Sequence, residues 1–216
     1  MRKTTKMFRS IVTACSVIAV FTAFQTKLNA TVITFERITN NAPNDIAIQL
    51  SAIVTSVDAN HVKFEFHNTA IIQSSIAEIY FDDGGPDAPI LLDSFTEILN
   101  HNTLFESNAI PANLPAWHTL TPVFSADFAA QAQIPSPQNG VNESTDHVGL
   151  VFKLILPNTF DEIITALENG PLRIGLHVQS IGLESQSDSF VSVPEPATIA
   201  LLSLGALSLV RRKNNV

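Results

Sequence analysis

The stretch His61-Val62-Lys63-Phe64-Glu65-Phe66-His67 decides the fold. Val62, Phe64 and Phe66 alternate with His61, Lys63, Glu65 and His67, and in extended backbone a period of two sends the apolar set to one face and the polar set to the other. Leu172, Ile174, Leu176 and Val178 alternate in the same way with Arg173, Gly175, His177 and Gln179. Ile46–Val57 is long, uncharged and rich in β-branched residues, as a central strand of a sandwich would be. Thr31–Ile38, Ile76–Phe81, Val148–Leu156 and Ser189–Val193 add further strands. Several strands with no alternating helices predict a mainly β body, an antiparallel β-sandwich or jelly roll over residues 31–192.

One helix interrupts this pattern. Thr159-Phe160-Asp161-Glu162 has the spacing of a capping box, Ile163, Ile164 and Leu167 form an apolar stripe, and Gly170-Pro171 ends it. From Ser107 to Asn142 the chain holds Pro111, Pro115, Pro122, Pro135 and Pro137 with little periodicity, so a long loop region is expected there, carrying the single Trp117.

The flanks are made of different material. Residues 1–30 contain five basic residues and no acid, and Ile11–Phe24 is a fourteen-residue uncharged run ahead of Leu28-Asn29-Ala30. A positive start, a short apolar run and a small residue at the end read as a secretory signal peptide cut after Ala30. Cys15, the one cysteine, lies inside that segment, so the exported body has neither disulfides nor thiolate chemistry. Between 31 and 193 only Arg37, Lys63, Lys153 and Arg173 stand against nineteen carboxylates. Such a surface repels phosphate backbones and anionic lipid, which excludes nucleic acid as a partner of the body.

At the other end, Pro194 and Pro196 keep the chain extended and out of a helix. Ala197–Val210 is a second fourteen-residue uncharged run, predicted as a transmembrane helix of about 21 Å, and Arg211, Arg212 and Lys213 anchor its far end on the cytoplasmic side. Together, Val193-Pro194-Glu195-Pro196, the apolar run and the basic tail resemble the PEP-CTERM sorting signal of exported bacterial proteins, over 193–216. The resemblance implies that Pro194, Glu195 and Pro196 are read by a membrane-embedded exosortase after export through the Sec translocon. The body then passes to the cell surface or the exopolysaccharide matrix. Ile79–Gly85, Gln138–Asn142 and Leu172–Gln179 make the body similar to the uncharacterised ectodomains of short PEP-CTERM proteins, which implies no activity.

Within the body, candidate chemistry is sparse. Phe81-Asp82-Asp83-Gly84-Gly85-Pro86-Asp87 places Asp82, Asp83 and Asp87 in a Gly/Pro turn, where oxygen ligands could hold Ca²⁺; a plain acidic turn is the simpler reading, because the EF-hand spacing is missing. The histidines at 61, 67, 101, 118, 147 and 177 show no zinc-ligand spacing and are expected to face solvent. Ser144-Thr145-Asp146-His147 has triad residue types in consecutive positions, which cannot build a triad. Trp117, His118, Phe124 and Phe128 either form a platform for sugar rings or pin the loop to the core, and the second is the simpler reading. The sequence therefore predicts an exported, exosortase-sorted protein with a structural or interaction role, no catalytic residue and no cofactor. A carbohydrate- or Ca²⁺-binding module and a secreted hydrolase are the alternatives.

Overall fold

The computed structural model describes residues 30–84 and 90–193. The signal segment before Ala30, the apolar run 197–210, Asp87, the Pro-Glu-Pro triplet and the basic tail lie outside the described residues. Among the described residues no helix is long and apolar enough to cross a membrane.

The stretches expected as strands form strands, except that Ala47–Gln49, expected at the start of one, is a single 3₁₀ turn. The strands are β1 (Ala30–Arg37), β2 (Leu50–Asp58), β3 (His61–Asn68), β4 (Ser75–Asp83), β8 (His147–Leu154), β9 (Leu172–Ile181) and β10 (Gln186–Ser192). Three more strands, β5 (Leu92–His101), β6 (Phe105–Ser107) and β7 (Phe128–Ala132), complete the set. In β3, Val62, Phe64 and Phe66 are buried and the intervening polar residues are half-exposed.

All pairings are antiparallel, and the hydrogen-bonded order is β5-β8-β3-β2-β1-β10-β9-β4-β7-β6. The mainly β, antiparallel class is as expected, but the two separate sheets of a sandwich are replaced by one continuous ten-stranded sheet. The reason is β1. Its residues 30–34 pair with β2, and Phe35, Glu36 and Arg37 pair with β10, so one strand serves both wings. The wings curl toward each other around a phenylalanine cluster. Phe81 of β4 meets Phe64 of β3 edge-on at 5.0 Å and Phe152 of β8 at 4.7 Å. Near the sheet's two ends, Phe95 of β5 and Phe128 of β7 meet at 5.8 Å, giving a nearly barrel-like wrap. Edge-to-face rings at these distances add about 0.5–1.5 kcal/mol per pair beyond the area they bury.

The expected helix is present as α2 (Phe160–Asn169), with Thr159 and Glu162 closing the capping box and Gly170 ending it at φ 90°. Its buried stripe is Ile163, Ala166 and Leu167, each large side chain worth about 1.5–3 kcal/mol of burial. It is not the only helix: a one-turn α1 (Ser136–Asn139) lies in the region expected to be loop. That region also supplies β7. Its segment 108–127 lies over the outer face of β4 and β9, where Leu114 and Phe124 join Tyr80, Ala109 and Val191 in a second small core. Every residue of β4 is buried in consequence. Gly175 of β9 makes room for this cover, since a Cβ there would stand 2.8 Å from Leu114 and 3.1 Å from Phe124.

Candidate functional site

Where the C-terminal segment leaves the body is set by β10. This strand lies between β1 and β9, and its Ser192 hydroxyl accepts the Ile174 N–H at 2.9 Å. One residue on, the Val193 N–H bonds the Thr34 carbonyl at 3.0 Å. The sheet therefore holds the chain up to the residue before Pro194. Strand β1 runs antiparallel to β10, so the chain emerging at Val193 heads toward the end of β1 that begins at Ala30. Thr34 lies four residues from that end, about 13 Å at strand rise. The body is also pinned at the opposite end of these two strands. There Asp188 of β10 accepts the Arg37 guanidinium at 2.5 Å, the Thr39 hydroxyl at 2.7 Å and the Asn41 and Ala42 N–H groups at 2.8 and 3.0 Å. Burial pushes the Asp188 carboxyl up, but the Asn41 N–H, the Thr39 hydroxyl, the Ala42 N–H and Arg37 together outweigh it and hold it below its ordinary value.

Residues 192–214 match the PEP-CTERM protein-sorting motif. The match begins on the last residue of β10, so the sorting segment follows the folded body without a spacer. It supports an exported, exosortase-targeted protein made as a membrane-anchored precursor. No curated protein and no solved structure matches the chain.

The acidic turn has other duties. Asp82 and Asp83 are adjacent on β4 and point to opposite faces. Asp82 is salt-bridged to Arg173, whose guanidinium also sits 5.2 Å above the Phe124 ring, and it accepts the Ser125 N–H at 3.1 Å. On the other face, Asp83 accepts the Leu91 and Leu92 N–H groups at 2.8 and 2.6 Å, while its second oxygen is buried without a partner among the described residues. Burial pushes the Asp83 carboxyl up to about 6; the two N–H groups oppose this, and the charges of Asp127 and Asp82 add to it. The structure thus does not bring Asp82 and Asp83 together as ligands of one ion. The third residue nominated, Asp87, lies outside the described residues.

The aromatic group of the loop divides. Phe124 is buried under the cover and Phe128 is partly buried against Phe95 and Phe152, so these two pin the segment to the core. Trp117 is 40% exposed, with His118 edge-on to it at 5.8 Å.

Two histidine groupings escape sequence reasoning, because their members are far apart in the chain. His177 of β9 lies with Nδ1 2.5 Å from buried Glu78 of β4, which also accepts the Gln179 amide at 3.0 Å. On the outer face of the other wing, strand register sets His67, His147 and His101 side by side on β3, β8 and β5. The His147 ring stacks on His101 at 4.3 Å and 16°, and His67 lies 5.4 Å away on its other side. The polar phase of β3 signalled His67, but only the register of β8 and β5 could add the other two. Among the described residues no group of three or more His, Cys, Asp or Glu side chains is placed, as the side chains stand, to hold a metal ion.

Two of the body's clefts lie among the described residues. One, of about 310 Å³, is lined by Ser74, Ser75, Gln138, Asn142 and Glu143. The other, of about 270 Å³, lies along α2 at Glu162, Thr165 and Ala166.

Proposed function

We propose that this is an exosortase-processed protein of the bacterial cell surface or exopolysaccharide matrix, whose curled, nearly barrel-like body has a structural or interaction role and no catalytic site. The observation that carries the reading is the junction at Ser192-Val193, where a strand held on both sides passes directly into the sorting motif. The body is held up to Val193, directly before Pro194-Glu195-Pro196, a triplet whose prolines disfavour a helix. Entry at Ala30 and exit at Val193 lie on the same side of the sheet. A precursor delivered by the Sec translocon with an uncut signal segment and the C-terminal run both in the membrane would be tethered by one end of the body, leaving the opposite end outward. Arg211, Arg212 and Lys213 hold the tail on the cytoplasmic side.

Three groups with shifted titration, Asp83, Asp188 and Tyr80, are engaged in holding the backbone, which supports a structural role. Asp83 and Asp188 are occupied in capping backbone N–H groups, and the Tyr80 hydroxyl, held far above its ordinary value first by burial and then by the Glu78 charge, donates to the Pro111 carbonyl at 3.0 Å. Neither cleft contains any of them.

Glu195→Ala tests the sorting claim, because it changes the triplet without changing the apolar run. The variant is expected to accumulate as unprocessed precursor in the membrane fraction of the native host. Maturation and surface display at the wild-type level would favour an ordinary tail anchor instead.

A further inference from the structure

We infer that His67, His101 and His147 form a capture site for a borderline divalent transition cation, Zn²⁺ first, on the outer face of β3-β8-β5. Each residue sits in register with the next, so the three imidazoles occupy one row across adjacent strands. They are accessible: His101 is exposed and lies on the strand at one end of the sheet order, and His67 and His147 are half-exposed. The row is also prepared on one side. Glu65 stands two residues before His67 on the same face, with Oε1 3.1 Å from His67 Nε2, while Lys63 Nζ bonds its Oε2 at 2.7 Å. A carboxylate oxygen held at His67 Nε2 leaves Nδ1 as the ring nitrogen open to a cation. A carboxylate behind an imidazole is how metal-ligating histidines are oriented and made more basic.

In the structure the rings stack rather than converge. Metal–nitrogen bonds of about 2.0–2.1 Å in a tetrahedral site put two imidazole nitrogens about 3.3 Å apart. The His101 and His147 ring centres are 4.3 Å apart, so chelation requires the two rims to tilt toward each other by side-chain rotation. His147 lies between the other two rings and is therefore common to any chelating pair. Imidazole ligands select Zn²⁺, Ni²⁺ or Cu²⁺ over hard, oxygen-seeking Ca²⁺ and Mg²⁺. The surplus of carboxylates over basic residues in the body draws cations to this surface.

The test is calorimetric titration of ZnCl₂ into the untagged full chain in detergent, stripped of metal beforehand, with and without excess CaCl₂. One Zn²⁺ per chain is expected, unaffected by Ca²⁺. His101→Gln, at an exposed position, and His147→Gln should each weaken binding about tenfold or more, and Glu65→Gln by about tenfold through loss of orientation. His177→Gln, on the other wing, should bind as wild type. No uptake by the wild type at millimolar Zn²⁺ overturns the proposal, as does unchanged binding in His101→Gln and His147→Gln.

Discussion

At the scale of single residues, Asp83 shows how a carboxylate can be at once structural and costly. It holds the Leu91 and Leu92 N–H groups, which fixes the chain where it re-enters the sheet, yet one of its oxygens has no partner among the described residues. Its folded-state pKa of about 6 lies above the ordinary value of 3.8. The native chain therefore binds this proton more tightly than the unfolded chain does, and the group's contribution to stability falls as pH rises from about 4 to about 6, then stays level. The difference amounts to about 2–3 kcal/mol. Asp83→Asn removes the titration while keeping an acceptor for the two N–H groups. Relative to wild type, the variant should gain that amount between pH 4 and pH 7, measured by urea denaturation at each pH. A stability difference that is constant across the range would show that Asp83 does not titrate in this window.

At the scale of elements, how well the sequence could be read depended on whether periodicity survived. The strands with clean alternation, β3 and β9, and the capped helix α2 were readable because one physical rule governed each from end to end. Strand β5 was not. Its apolar residues Leu92, Phe95, Ile98 and Leu99 are spaced at three, three and one. Register shifts at Leu92/Ser94 and Phe95/Glu97 insert an extra residue twice and destroy the period of two. The strand β7 and the cover 108–127 were hidden for a different reason: their order comes from packing on β4 and β9, which no local pattern encodes. Gly140 illustrates such a long-range constraint. Its φ of −82° suits any residue, but a Cβ would lie 2.3 Å from both the Ile76 carbonyl and the Ser75 hydroxyl. Gly140→Ala should therefore destabilise the body by about 1–3 kcal/mol through overpacking, read as a lower urea midpoint with an unchanged slope. An unchanged midpoint would mean that α1 and the start of β4 are not packed this closely.

At the scale of the whole molecule, the sheet and the flanking segments make one device. A strand that serves both wings begins at Ala30, and its antiparallel neighbour ends where the sorting motif begins. The segments expected to be apolar thus join the body at Ala30 and Val193, toward the same end of β1. The sequence contained the sorting reading in full, since Pro194-Glu195-Pro196, the apolar run and the basic tail are contiguous. The histidine row, by contrast, needed three strands in register and could not be seen in the chain. The central claim is that the body is released from both segments, and intact mass with terminal sequencing of the protein from its native host tests it most directly. The account predicts a mature chain that starts at Thr31 and ends close to Pro194–Pro196, without the run 197–210. A mature chain that still carries residues 197–216 would contradict it.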